Sequence, residues 1–480
     1  MNDTVYFNTK ISKQYLLNIG FDRRLLILFF SGIGLGLSEP GFNQSYLAWF
    51  SLVPLFIILR SCINQIQAIL AGFIFGFGYY LIAISYFLNL NNTQTVSFES
   101  LRILLQNVLT WWIYSAVYST VFIIFALILY LLPLRTSFIP WFKRPYYPFL
   151  LTAPFLWIYL NYSPLSILFY LKNLTVHLSS SQYLFVPLIQ IAKIGGSQLI
   201  DFFIILVNAS LSNLIIQNFP LAKLFSPRID NLKDGFGCLL DNAIILLILF
   251  TLYTWGELQI NEDSLKSRLT IKDEPSVYTI VICNRLIGEN TLNTSQKIEL
   301  IETYKNLLKK HPGWQYFVCP EGQYALGDQN SLSNQTLAKN LTFSHNSSIS
   351  NNLLTYQVNS HSASLKPSPW GKIGIISNFA LRNPYLAKNL TRNGASLLIT
   401  SNEIVIPASS SLNDQLLAIS VFTAIENNRY VILASNTGII AIVEPNGLIA
   451  NLSRGNKANF ILNRVKFLYK QTFYTRAWWL

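Results

Sequence analysis

The sequence predicts two joined architectures, a membrane α-helical bundle of about seven spans followed by an α/β layered domain. Three observations carry this. The 480 residues are 51% hydrophobic and only 12% charged, too apolar for an ordinary soluble protein. The apolar residues concentrate between about Leu25 and Trp255, in runs on the scale of a bilayer crossing, about 20 residues each. After Glu257 the texture changes to short alternating strands, polar helices and Asn/Ser-rich loops, the pattern of a layered α/β unit. The expected divisions are 1–256 for a polytopic membrane domain, 257–470 for the α/β domain and 471–480 for a C-terminal interfacial tail.

The spans are expected near Leu25–Leu37, Tyr46–Leu59, Ala68–Leu90, Val108–Leu132, Pro148–Tyr170, Leu199–Ile216 and Cys238–Trp255. Phe185–Ile194 reads as a re-entrant or interfacial piece. Loop charges test the order. Lys10, Lys13, Arg23 and Arg24 precede the first span and Arg60 follows the second. Arg135, Lys143 and Arg144 follow the fourth, and Lys223, Arg228 and Lys233 follow the sixth. The intervening loops carry little: Glu39, then Glu99 with Arg102, then Lys172. Basic loops thus alternate with the spans, as the positive-inside rule requires. This puts the N-terminus in the cytoplasm and, after an odd number of spans, the α/β domain outside. The net charge of +13 is accounted for by inside loops and anionic head groups, without nucleic acid.

No cleavable signal peptide is evident, because the first apolar run lacks a small-residue cleavage site. The cysteines, Cys62, Cys238, Cys283 and Cys319, form no CxxC pair and read as buried thiols. A Cys283–Cys319 disulfide is open outside the cytoplasm. His177, His311, His345 and His361 are scattered without metal spacing, so no metal site is expected.

In the α/β half, strands are expected at Val277–Cys283 and Trp314–Cys319, flanking a helix at Thr294–Lys310. The Asn/Ser-rich stretch Asn330–Ser364 reads as loop. From Lys372 to Glu403 a β-branched run (Ile373, Ile375, Ile376) gives way to small polar residues and an amphipathic helix. A second apolar run, Ala395–Thr400, closes the unit. The turn after the first of these strands, Ser377-Asn378-Phe379, is where open α/β sheets place their chemistry. A helix at Leu412–Asn427, a strand at Tyr430–Ser435 and a hairpin through Glu444-Pro445-Asn446-Gly447 follow.

Five stretches now carry a resemblance: LAWFSLVPLF (Leu47–Phe56), PLIQIAKIGGSQLIDFFIILVNASL (Pro187–Leu211), CPEGQYAL (Cys319–Leu326), GIISNFALRNPYLAKNLTRNGASLLITSNE and AIENNRYVILASNTGIIAIVEPNG (Ala424–Gly447). The α/β domain resembles the nitrilase, or carbon–nitrogen hydrolase, superfamily, and the chain as a whole resembles the apolipoprotein N-acyltransferase family. The resemblance implies a multi-pass protein of the bacterial cytoplasmic (inner) membrane. It implies transfer of a phospholipid acyl chain to the N-terminal cysteine amine of lipoproteins. Its partners would be phospholipid and bacterial lipoproteins, its cofactors none, and its machinery a Glu–Lys–Cys triad passing through a thioester.

Carried over residue by residue, the base position falls on Glu321, after a strand and a proline. The lysine position falls on Val358 in Tyr356-Gln357-Val358, with Lys366 and Lys372 nearby in other local patterns. The nucleophile position falls on Asn378. An amide nitrogen has a delocalised lone pair and no ionisation near neutral pH that makes it a nucleophile. Ser377 is adjacent, and neighbouring side chains leaving a strand point to opposite faces. The fifth span also departs from the family at Asn161-Tyr162-Ser163-Pro164, and the loop before Lys366 is short. Tyr474–Leu480 stands where an eighth span would begin, with Trp478 and Trp479 suited to an interface. Sequence therefore predicts a family member impaired in catalysis. The alternative is a non-catalytic lipid- or lipoprotein-binding membrane protein.

Overall fold

The computed structural model describes residues 23–89, 98–132, 134–135, 147–163, 177–218, 235–269, 276–283, 316–318, 363–402, 410–435, 438–454 and 459–477. These group into two compact units. One draws on 1–181 and 198–251, the other on 182–197 and 252–480.

The first unit is helical. Its elements are α1 (23–37), α2 (Val53–Ser61), α3 (Gln65–Ala83), α4 (Phe98–Tyr118), α5 (Thr120–Leu131), α6 (Phe149–Tyr162), most of α9 (Ser197–Asn218) and the first part of α10 (Gly235–Leu269). Among the described residues, four helical stretches are long and apolar enough to cross a membrane: Gln65–Ala83, Leu101–Leu131, Ser197–Ile216 and Leu239–Asp263. Shorter apolar helical pieces lie at Ser45–Ser61 and Phe149–Tyr162. Each expected span thus overlaps a helix, but several fall short of a full crossing by themselves.

Local chemistry sets the helix ends. Asn64 caps α3 by accepting from the Gln67 N–H at 2.9 Å, and the Gln67 side chain accepts from the Ile63 N–H at 2.8 Å. This reciprocal arrangement satisfies donors that the first turn would otherwise leave exposed. The stretch from 98 to 131 is not one helix, because it breaks at Ser119. There the Ser119 hydroxyl donates to the Ser115 carbonyl at 2.6 Å, and that of Thr120 to Val117 at 2.7 Å. Such back-bonding competes with the helix ladder and bends it.

Close approach of backbones packs the core of this unit. A Cβ added to Gly32 would lie 2.1 Å from the Phe75 carbonyl oxygen, and one on Gly78 would lie 2.4 Å from that of Phe29. On another side of α3, a Cβ on Gly72 would lie 2.5 Å from the Phe122 oxygen. Small residues at helix contacts are what dispersion-driven packing in a membrane demands. Aromatic rings fill the remaining space, with Phe122 and Phe125 each 5.2 Å from Trp157. Asn208, fully buried on α9, accepts from the Leu52 N–H at 2.9 Å and donates to the Ala48 carbonyl at 2.8 Å. A buried amide is stable only when satisfied in this way.

The second unit contains two sheets. Its strands are β1 (Ser276–Cys283), β2 (Tyr316–Val318), β3 (Ala363–Ser368), β4 (Gly371–Ser377), β5 (Ala395–Asn402), β6 (Val431–Ser435), β7 (Ile439–Val443), β8 (Ile449–Arg454) and β9 (Asn459–Lys466). The larger sheet runs β8-β7-β6-β5-β4-β3 and the smaller β9-β1-β2. Strands β4, β5 and β6 are parallel neighbours, and the larger sheet's other pairings are antiparallel.

Period-two alternation builds the core. Ile373 and Ile375, Leu397 and Ile399, Ile432 and Ala434, and Ile440 and Ile442 share one buried cluster with Ile461, Val465 and Phe467 from the smaller sheet's side. Each fully buried aliphatic chain contributes about 2 kcal/mol by removal from water. Helices α11 (Pro384–Arg392) and α12 (Ser411–Asn427) also pack on the larger sheet. Asn383 caps α11, Ser410 caps α12, and Asn428 ends α12 in the left-handed region at φ 51°. The hairpin at Glu444–Gly447 forms as expected, with Gly447 at φ 86° and the Leu448 N–H donating to Asn446 Oδ1 at 3.0 Å.

The stretch 182–197 groups with this second unit. It carries α7 (Val186–Ile189) and α8 (Ala192–Gly195), two short helices. Gln190 Nε2 donates to the Asn446 carbonyl at 2.7 Å, and the Phe185 and Tyr253 rings stack at 5.6 Å.

Candidate functional site

The carboxyl ends of the parallel strands lie in one row. Ser377 pairs with Ser401, and Asn402 pairs with Ser435. The expected strand–turn–helix–strand unit is present here: β4, a 3₁₀ turn at Asn378–Arg382, α11, then β5. Asn378 thus begins the turn leaving β4, at the end of the sheet where loops collect. Its side chain and those of Ser377 and Phe379 lie outside the described residues, as do Glu321, Val358 and Cys319 entirely. So do the expected helix Thr294–Lys310, most of the loop Asn330–Ser364, and Trp478 and Trp479. The structure therefore brings the Asn378 backbone to the row and places no side chain of the expected triad.

Beside this row, Ser435 accepts from the Gly438 N–H at 3.0 Å. A Cβ on Gly438 would lie 2.3 Å from Asn413 Oδ1, so only glycine lets this bend approach the first turn of α12.

A second group of chemically capable residues lies within the same unit. Glu426, on α12, is 2% exposed, Lys388 on α11 is 2% exposed and Tyr474 is 3% exposed. Glu426 Oε1 accepts from the Ser197 N–H at 2.6 Å. The Lys388 ammonium sits 4.4 Å from the centre of the Tyr474 ring. Burial pushes the Glu426 carboxyl up to about 7, against the bonds from Ser197 and the charge of Lys388. Burial, with Arg392, also lowers Lys388. Burial and then the Glu426 charge hold the Tyr474 hydroxyl well above its ordinary value. The group is closed to solvent, so its chemistry is that of a titratable joint rather than of an open active site. Thr472 and Thr475 extend it by donating to the Glu426 carbonyl oxygen.

A third group is in the helical unit. Tyr79 donates to Glu39 Oε1 at 2.6 Å. Asp201 accepts from the Ser179 N–H at 2.6 Å, from Tyr162 Oη at 3.1 Å and from Trp157 Nε1 at 3.2 Å. Sequence reasoning counted Glu39 as a loop charge and passed over Asp201, Lys388 and Glu426. For Asp201 a signal existed, since it is an acid between Ile200 and Phe202 in an apolar helix.

Residues 31–210 match the model of the apolipoprotein N-acyltransferase N-terminal domain. No curated protein matches in sequence. Among solved structures, the chain is similar to Saccharomyces cerevisiae Nit3, a member of branch 10 of the nitrilase superfamily. That match has 14% identity and a TM-score of 0.32, covering 40% of this chain and 90% of the other. A carbon–nitrogen hydrolase from Helicobacter pylori G27 gives 13% identity and a TM-score of 0.32, covering 40% and 89%. What this part of the chain is similar to is therefore the apolipoprotein N-acyltransferase N-terminal domain, over residues 31–210.

Proposed function

We propose that this chain is an apolipoprotein N-acyltransferase family member of the bacterial cytoplasmic membrane, with catalysis impaired at two positions of the inherited triad. In this reading about seven spans occupy 1–256, and the domain at 257–470 faces away from the cytoplasm. Residues 471–480 form a tail at the interface. The family reaction moves an acyl chain from phospholipid to the N-terminal amine of a lipoprotein. Glu321 would keep the base position while Asn378 and Val358 occupy those of nucleophile and lysine.

The observation that carries the proposal is the pairing of the family match at 31–210 with asparagine at 378. A carboxylate can accept a proton only from a group that has one to give at neutral pH, and an amide does not. Without the lysine, a developing oxyanion would also lack its positive partner. The same asparagine favours the second reading, a membrane protein that binds lipid or lipoprotein without transfer.

Complementation of a bacterial strain depleted of its own N-acyltransferase divides these readings. The proposal expects no growth, or slow growth with little triacylated lipoprotein, at normal membrane levels of the chain. Full rescue would overturn impairment and point to an active site rebuilt around Glu321.

A further inference from the structure

Apolar residues scattered over a surface need no explanation. A whole segment with its polarity reversed does. In the stretch 182–197, three of the sixteen residues are exposed, and all three are large and apolar: Leu184 at 57%, Phe185 at 45% and Ile194 at 43%. The polar side chains turn the other way. Gln182 and Gln190 are buried, and Gln190 Nε2 donates to the carbonyls of Asn446 at 2.7 Å and Val186 at 3.0 Å. Lys193 pairs with Asp263 of α10 at 2.7 Å. Against water, a surface segment hides its apolar residues and shows its polar ones. Against lipid, hiding an apolar chain gains nothing, while every polar group must be satisfied inside the protein.

The segment is also held at a defined place along α10. Phe185 stacks on Tyr253 at 5.6 Å, and a Cβ added to Gly256 would lie 1.8 Å from the Pro187 carbonyl oxygen. From Tyr253 to Asp263 the helix rises about 15 Å. These contacts fall on the last part of Leu239–Asp263, a stretch long and apolar enough to cross a membrane. Along that stretch the exposed Leu246, Leu247 and Phe250 give way to Glu257, Glu262 and Asp263. Phe185 therefore meets the helix at the apolar end of the contact, and Lys193, next to Ile194, meets it at the charged end. At the far end of the segment, the Ser197 N–H bond to Glu426 ties it to α12.

The size and order of the exposed residues choose the occupant. A stable protein partner takes about 20–30 residues a side, and three side chains fall far short of that. The passage from an apolar to a charged end matches the passage from acyl chain to head group. We propose that 182–197 is a lipid-facing foot of the second unit, with Leu184 and Phe185 among phospholipid acyl chains and Ile194 at head-group level. The proposal rests on α10 being a membrane span and is independent of the triad.

The test uses the purified, unmodified full chain in liposomes of phosphatidylethanolamine and phosphatidylglycerol. In parallel samples these contain a phospholipid with a photoactivated diazirine either at the end of one acyl chain or beside the head group. Adducts are mapped by proteolysis and mass spectrometry. Leu184 and Phe185 should carry roughly fivefold or more of the acyl-end adduct found on Arg392 and Asn393, an exposed polar turn of the same unit. Ile194 should label better from the head-group probe, and the opposite order would overturn the assigned depths. Leu246, Leu247 and Phe250 report on the span itself. Labelling there, with 184, 185 and 194 no higher than the turn, would overturn the foot alone. No labelling at 246–250 would overturn the span reading and the foot with it. With p-benzoylphenylalanine in place of Phe185, irradiated in cell membranes, the adduct should have the mass of a phospholipid. A protein-sized adduct instead would overturn lipid as the occupant.

Discussion

The backbone N–H of Ser197 donates to the carboxylate of Glu426 at 2.6 Å, joining residues 229 positions apart. The acid that accepts this bond sits in helix α12, and the lysine whose charge steadies it sits in α11.

This joint should make stability depend on pH. The Glu426 carboxyl is raised to about 7, so the folded chain holds that proton more tightly than the unfolded one. Its contribution is full below the unfolded value near 4.5 and is lost as pH rises through about 7. At about 1.4 kcal/mol per pKa unit, the change amounts to a few kcal/mol. Denaturant unfolding at pH 5, 6, 7 and 8 should show wild type losing stability relative to E426Q, which has no proton to release. Parallel curves would show that Glu426 does not titrate in this window.

Arg429 should prove costly to replace. It is 1% exposed and donates to the carbonyls of Ala395 at 2.6 Å, Lys470 at 2.8 Å, Asn428 at 2.9 Å and Tyr469 at 3.3 Å. A hydrogen bond from a charged group is worth about 1.5–3 kcal/mol, so R429A should lose at least about 3 kcal/mol. R429K should recover little of it, because an ammonium cannot reproduce the planar fork. Limited proteolysis near Tyr469 and Lys470 should accelerate in both variants, with slower cleavage in R429K.

Sidedness follows from the loop charges. A reporter fused after Gly447 should read the non-cytoplasmic side and one near Arg144 the cytoplasmic side. Both reading the same side would show the span count to be off by one.

The triad positions predict a limited repair. Asn378→Cys alone should form little acyl adduct, because Val358 offers no charge for the oxyanion. Losing one oxyanion donor costs about 10²–10³ in rate. Asn378→Cys with Val358→Lys should accumulate more than either single change. The assay is intact-mass spectrometry in phospholipid, reading an adduct removed by hydroxylamine. A stoichiometric adduct on Asn378→Cys alone would move the lysine role to Lys366 or Lys372.

How legible this molecule was depends on whether the signal is local. The Pro-Asn-Gly turn, the caps at Asn383 and Ser410, and the strand–turn–helix–strand of β4, α11 and β5 are written in neighbouring residues. The break at Ser119 was masked, since mean hydropathy runs smoothly through it while two hydroxyls alter the ladder. The grouping of 182–197 with the α/β unit depends on partners such as Asn446 and Glu426, more than two hundred positions away. No local pattern announces that kind of contact. For the candidate site, the sequence put Asn378 in the turn after the Ile373–Ile376 run, and that turn follows β4. The depth of Glu39 and Asp201 came only with the packing of rings around them.

The glycines of α3 have a mechanical consequence. Toward α5 the helix presents Ala68, Gly72 and Gly76, a ladder of small residues at four-residue spacing, past which a partner could slip by one turn of about 5.4 Å. Toward α1 it presents Gly78, flanked at that spacing by Ile74 and Ile82. Any such slip would drive an isoleucine into the Phe29 carbonyl. Gly78 acts as the pawl that stops the ratchet, so α3 stands as a fixed post.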